Sequence, residues 1–375
     1  MKVVYFTDTM LPNMDGVVRT YCNLIDTLET ENIDYKFYSP FKPSKEIIWH
    51  KKIRQVSYVP FFLYTDYRVT IPHINRLYPE LDSYNPDLIH VVSPTLHGIY
   101  GLRYAQRRGI HAVTCYHTNF IDYFSYYGFA KFETFGWQYL KWFYNQFDKV
   151  YAPSNSSINE LRKHGINNHT ELWQRGIDLD KFSPEYRSDD LRQSIGAKDI
   201  PILLFVGRLV KEKDIDDLID VVSILKKQRY DFKLVVVGDG PARNEMEEKL
   251  PFAHFTGYLS STELSVWYAS SDLFVFPSTT ETFGNVILEA FASGLPAIVV
   301  NKGGCADLVT PRVNGYIANP HDPSDFATKI SFFLDSKSDI NHFSIAAIET
   351  AQNYNWNVIN KNLIDSYKKL VFYKN

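Results

Sequence analysis

Glu281 and Glu289 stand eight positions apart around the turn Phe283-Gly284-Asn285. The apolar run 272–277 ahead of them predicts a short buried strand. Residues 285–293 predict a helix, closed by Gly294 and Pro296. Glu281 thus falls in a strand-to-helix turn, and Glu289 about one turn into the helix. Ligands of open α/β sheets sit in that place, beyond the carboxyl ends of the strands. Gly284 lets backbone come close to a ligand. The helix N-terminus behind it offers free N–H groups and a positive dipole end. Either glutamate alone also fits a solvated loop acid or an acidic residue near a helix start.

Arg208, Lys211 and Lys213 lie between an apolar strand at 202–206 and a helix over about 215–227. Cations just ahead of a helix N-terminus are unfavourable unless an anion sits among them. Side chains and helix N–H groups would then hold it together, and a diphosphate fits. A solvated turn, with Glu212 and Asp214 neutralising the lysines, fits equally. No Asp-x-Asp motif stands at a β/α turn to hold a divalent metal. Asp178 and Asp180 fall in turn-rich sequence, and Asp214, Asp216 and Asp217 enter a helix.

Alternating elements must position these residues. Strands are predicted at 2–6, 35–38, 87–92, 111–116 and 149–152, with helices from about 16, 97 and 156. Polar, turn-rich sequence over 173–199 interrupts the series before it resumes at 202. The alternation predicts α/β domains with mostly parallel sheets covered on both faces. The first β/α turn holds Asp8, Asp15 and a single glycine, Gly16, which disfavours a nicotinamide cofactor.

A chain of 375 residues is too long for one core and comfortable for two domains with a cleft between them. A net charge of −3 argues against coating nucleic acid. Cys22, Cys115 and Cys305 form no metal or disulfide pattern, which suits a reducing, cytoplasmic setting. No secretory signal is visible and no apolar run reaches a membrane span, so membrane contact is expected to be peripheral, on the inner face.

Taken together, these motifs resemble those of family 4 glycosyltransferases. The resemblance rests on the paired glutamates around Phe283-Gly284, on Arg208 and Lys213, and on Tyr116-His117-Thr118-Asn119-Phe120 at a strand end. Residues 117–128, with Trp173-Gln174-Arg175-Gly176-Ile177-Asp178, look most like the branch of mannosyl- and sulfoquinovosyltransferases that act on lipid acceptors. It implies the GT-B fold, two facing Rossmann-like domains. These would be an acceptor-side domain over 1–172, a linker over 173–199 and a nucleotide-sugar domain over 200–355. A C-terminal helix over about 356–375 would pack back on the first.

The resemblance also implies a retaining, metal-independent hexosyltransferase. Its donor would be a UDP- or GDP-linked sugar, used as co-substrate with no other cofactor. Attack would be front-face, without a protein nucleophile. Arg208 and Lys213 would contact the diphosphate, Glu289 the ribose hydroxyls, and Glu281 sugar hydroxyls near the reacting carbon. Phe283, Gly284, Asn285 and Val286 would bring backbone to the sugar or phosphates, and Gly257 and Tyr258 would hold the base. Gly16 would face donor phosphate and acceptor, although the family often has two adjacent glycines where this chain has Asp15-Gly16. His117 would act with Arg208, Lys213 and Glu281 in catalysis. Asp15, Tyr123 and Tyr126 would lie on the acceptor side. Arg175 would add a cation near the donor, or pair with Asp178.

The expected acceptor is a membrane lipid or glycolipid. Residues 116–147 include Tyr123, Phe124, Tyr126, Tyr127, Phe129, Phe132, Phe135, Trp137, Tyr139, Trp142, Phe143 and Tyr144. Phe132, Phe135, Tyr139 and Trp142 recur at helical spacing and could face the sheet. Too many remain for one buried stripe, and Tyr and Trp suit the headgroup layer. Lys51, Lys52 and Arg54, beside Phe61, Phe62, Tyr64 and Tyr67, would favour an anionic leaflet. A sugar-binding groove or core packing accounts for the same aromatics. The alternatives are a soluble or polysaccharide acceptor, an epimerase of the same fold, or an inactive sugar-nucleotide-binding protein. Glycosyl transfer is expected to survive EDTA; complete loss restored by Mg²⁺ or Mn²⁺ would place a metal at the diphosphate instead.

Overall fold

Val3, Val4, Tyr5 and Phe6 are all buried, as a strand covered on both faces requires. They form β1 (Lys2–Phe6) at the centre of a parallel sheet with β2 (Asp34–Ser39), β3 (Ile53–Gln55), β6 (Leu88–Val91), β7 (His111–Cys115), β8 (Lys149–Ala152) and β9 (Thr170–Leu172). Their order is β3-β2-β1-β6-β7-β8-β9. Between β3 and β6 the chain makes a separate antiparallel hairpin, β4 (Tyr58–Phe61) and β5 (Tyr64–Thr70). The second sheet, also parallel, runs β12-β11-β10-β13-β14-β15. It is built from β10 (Ile202–Val206), β11 (Lys233–Val237), β12 (His254–Gly257), β13 (Leu273–Phe276), β14 (Ala297–Val300) and β15 (Gly315–Ala318). In each sheet the strand order reverses once, between β1 and β6 and between β10 and β13.

This computed structural model describes the chain except residues 14, 62–63, 72, 120, 122–125, 127, 129, 167–168, 229, 336–339 and 373–375. Tyr123, Phe124, Tyr127, Phe129 and Phe62, expected in acceptor or membrane contacts, lie outside the described residues. The chain forms two units. One is Met1–Thr118 with Lys131–Arg175 and Trp356–Asn375; the other is Asn119–Ala130 with Gly176–Asn355. The stretch 173–199, expected as a linker, divides between them. Trp173 to Arg175 belong to the first unit. In the second, Ile177 bridges Asn355, Phe182 enters the core, and buried Arg192 donates to Ser270 O, Ile200 O and the Asp272 carboxylate.

In the first unit the helix Trp356–Phe372 is fastened by a buried amide. Asn360 Oδ1 accepts from the Trp173 indole at 3.2 Å, and its Nδ2 donates to Asn23 O and Thr27 Oγ1 of the helix Gly16–Thr30. Asn360→Leu leaves the buried Trp173 indole N–H without its acceptor. It is expected to lower stability by about 3 kcal/mol, read as a shift of the urea midpoint; an unchanged midpoint would show that the amide does not fasten the helix.

Candidate active site

The crevice of the second sheet is bounded by the loops after β10 and β13, where the strand order reverses. After β10 the chain turns through Lys211–Lys213 and places Asp214 in the left-handed region at φ 52°. The Asp214 carboxylate, almost fully buried, accepts from Thr279 N at 2.7 Å and from the Tyr126 hydroxyl at 2.7 Å. Thr280 Oγ1 donates to Glu212 O at 2.8 Å. These bonds stitch the two loops together, and the stitch sets Lys213 Nζ in an ion pair with Glu281 Oε1. The Lys213 side chain is 10% exposed, so its charge needs a partner. The sequence assigns the two residues separate roles; the fold makes them one unit. Arg208 stays largely exposed at the crevice, 3.6 Å from the Glu212 carboxylate.

Gly284 adopts φ 98°, and a Cβ there would stand 2.6 Å from Cys305 Sγ. Gly303 and Gly304, after β14, press on the same turn. A Cβ on Gly304 would lie 2.2 Å from Thr282 O, and Gly304 N donates to Glu281 O at 2.7 Å. Behind the turn starts the helix Asn285–Ala292. Asn285 Oδ1 is buried with no hydrogen-bond partner among the described residues. Glu289 is buried in this helix and accepts from the Tyr268 hydroxyl at 3.1 Å. Phe283 is buried beside Tyr354 and Val286 packs on the core, so the turn presents backbone rather than these side chains. Gly257, at φ 73°, ends β12 and is followed by a 72% exposed Tyr258 ring.

Asp214, Gly303 and Gly304 are the residues the sequence reading missed here. The adjacent glycines after a strand are the signal that was available. Asp214, Asp217 and His321 form a group whose ligand atoms lie within 4.8 Å of one another. The Asp214 oxygens already serve Thr279 and Tyr126, and His321 Nδ1 lies 3.1 Å from Asp217 Oδ2.

In the first unit the loops after β1 and β6 meet through Thr95 Oγ1, which donates to Asp8 Oδ2 at 2.6 Å. Burial raises the Asp8 carboxyl above its ordinary range. Asp15, expected on the acceptor side, caps the helix Gly16–Thr30: Oδ1 accepts from Val18 N and Oδ2 from Thr9 Oγ1, both at 2.8 Å. Gly16 is the first residue of that helix. His117 follows β7 and accepts at Nδ1 from Arg175 at 2.9 Å. Arg175 therefore does not pair with Asp178, whose carboxylate meets Lys181. Tyr126 belongs to the second unit, where its hydroxyl bonds Asp214 and Thr279.

Residues 14–181 match the model of Glycosyltransferase Family 4, and residues 187–350 that of glycosyl transferases group 1. The chain is 33% identical to a GDP-mannose-dependent alpha-mannosyltransferase of Corynebacterium glutamicum, over 99% of this chain and 89% of that protein. It belongs to the family 4 glycosyltransferases. This glycosyltransferase is also 27% identical to an alpha-monoglucosyldiacylglycerol synthase of Streptococcus pneumoniae, over 92% of this chain and 81% of that one. The crystal structure of Anabaena HepE in complex with UDP superposes with a TM-score of 0.78 at 18% identity, covering 98% of this chain and all of that one. The two parallel-sheet, Rossmann-like units are those of the GT-B fold.

Lys213→Met is expected to lower turnover by on the order of 100-fold, the scale of removing one transition-state charge stabiliser. Combined with Glu281→Gln, the loss should fall short of the product of the two single losses, because the residues touch. Nucleoside diphosphate release measures both; wild-type turnover in folded Lys213→Met would remove the lysine from the reaction.

Proposed function

We propose that this glycosyltransferase moves a hexose from a UDP- or GDP-linked sugar to a membrane lipid or glycolipid, with retention and without a metal. The diphosphate would lie at the crevice of the second unit, against Arg208, Lys213 and the N-terminus of the helix Asn285–Ala292. Breaking the bond from the anomeric carbon leaves an electron pair on the diphosphate oxygen. Fixed cations and helix N–H groups stabilise that charge as it develops. The acceptor hydroxyl forms the new bond from the same face, and its proton passes to the leaving oxygen. No protein nucleophile is needed, and Glu281, bound to Lys213, is held as a positioning carboxylate for sugar hydroxyls. Exposed Tyr258 would stack on the base. The GDP-mannose dependence named for the Corynebacterium relative supports a nucleotide-sugar donor.

The lipid acceptor is carried by one observation. On the helix Glu133–Tyr144, Phe135 is 70% and Trp142 49% exposed, with Phe132 just before it at 47%. This corrects the expectation that these residues face the sheet; Trp137, Leu140, Phe143 and Tyr144 are the ones buried. Lys131 lies 5.3 Å from the Phe132 ring centroid and Lys141 is exposed on the helix. Aromatics beside lysines suit an anionic bilayer surface. The diacylglycerol product named for the Streptococcus relative agrees. In the second basic segment Lys52 pairs with Asp34 and Arg54 with Glu80. Among the described residues no helix is long and apolar enough to cross a membrane.

Acceptor-dependent release of nucleoside diphosphate tests the transfer, and a thermal-shift panel of UDP-, GDP- and ADP-sugars identifies the donor. Wild-type protein is expected to float with anionic liposomes at low salt, and Phe135→Ser with Trp142→Ser to float several-fold less. A protein that stays behind and glycosylates only water-soluble sugars would overturn the lipid acceptor.

A further inference from the structure

Arg175 is a buried guanidinium with no carboxylate among its hydrogen-bond partners in the described residues. It donates to Trp173 O at 2.7 Å, Gln174 O at 3.2 Å and His117 Nδ1 at 2.9 Å, and lies 4.9 Å from the Trp173 ring centroid. Guanidinium can only donate, so His117 Nδ1 must accept. A neutral imidazole then carries its proton on Nε2 and gives it to the Tyr21 oxygen, 3.1 Å away. Tyr21 has one hydroxyl proton, and it goes to His90 Nε2 at 3.0 Å. His90 in turn carries its proton on Nδ1 and donates to Tyr367 Oη at 2.5 Å. Every donor direction follows from the first.

We infer that Arg175 is a positioning residue. It locks His117 as the neutral Nε2–H tautomer, and the order passes through Tyr21 and His90 to Tyr367 on the C-terminal helix. His117 therefore neither gives nor takes a proton during transfer. It serves by ring orientation, which the edge contacts of Tyr21 and Trp173 also fix. Among the described residues, the titratable and charged groups facing it include Tyr21 of the first helix, His90 of β6, Cys115 of β7, and Arg175. Cys115 stays a neutral thiol, its pKa raised to about 11 by burial. Desolvation, then Arg175 and His90, holds His117 well below the ordinary imidazole range. Only the kinetic consequence rests on the glycosyl-transfer reading; the tautomer does not.

Long-range ¹H–¹⁵N spectra of the full chain, assigned with His117→Gln, test the lock. In wild type, His117 should show protonated Nε2 and bare Nδ1 unchanged between about pH 5 and 8. In Arg175→Met it should titrate within that window or mix tautomers, and kcat/KM should gain an acid limb, about tenfold lower one pH unit below the new midpoint. Arg175→Lys, which still donates, should restore the wild-type pattern. Should Arg175→Met fail to fold, Tyr21→Phe keeps the Arg175 bond but releases His90. His117 should then keep bare Nδ1 while His90 mixes tautomers. A wild-type His117 that titrates near its ordinary value or carries its proton on Nδ1 overturns the inference, as does an unchanged His117 in Arg175→Met or an unchanged His90 in Tyr21→Phe. If transfer itself is misassigned, the kinetic arm falls silent while the spectra still decide.

Discussion

A lysine that is nearly buried cannot stand alone, and Glu281 is what lets Lys213 sit where it does. The pair joins two loops that the strand order alone leaves apart, one after β10 and one after β13. Its geometry is only as good as the stitching around it. Asp214 supplies that by taking a left-handed backbone and turning its carboxylate onto Thr279 N and Tyr126. Gly303 and Gly304 press from the other side, where no larger residue fits. A site that must meet developing negative charge gains from donors fixed beforehand, since they need no reorganisation during the reaction.

The first unit solves the same topological problem with different chemistry. Its two loops meet at Asp8 and Thr95, through a hydrogen bond rather than an ion pair. The buried cation, Arg175, is distributed over two carbonyls, an imidazole nitrogen and an indole face. Neutral acceptors suffice because a guanidinium is weakly hydrated and fork-shaped, so its donors can be spread. The second crevice thus carries cations suited to phosphates. The first offers a desolvated carboxylate and a neutral histidine, which suit hydroxyl groups.

The sheets were legible because buried parallel strands read as continuous apolar runs, as at 202–206 and 233–237. The loops around Glu281 and Lys213 were legible because strand-to-helix turns in such sheets bind ligands. What they touch was not. Lys213 and Glu281 are 68 positions apart, and nothing local says that they pair. Glu289 reads as a surface helix acid yet is buried against Tyr268, a partner 21 positions earlier. Arg175 reads as a cation near the donor or a mate for Asp178, but one of its donors meets His117 across 58 residues. Local pattern gives the position of a polar side chain; only tertiary packing gives its partner.

The aromatic helix shows why one stripe was taken for another. Phe132, Phe135, Tyr139 and Trp142 keep helical spacing, but so do Gly136, Leu140 and Phe143 on the adjoining face, about a quarter of a turn round. Counting apolar residues cannot choose between two apolar faces. Gly136 is buried, and Trp137 next to it stacks on His164 at 3.7 Å. Phe132, Phe135 and Trp142 are left outside. A helix with apolar residues on two adjoining faces has more apolar surface than one packed side can cover, and the rest stays exposed.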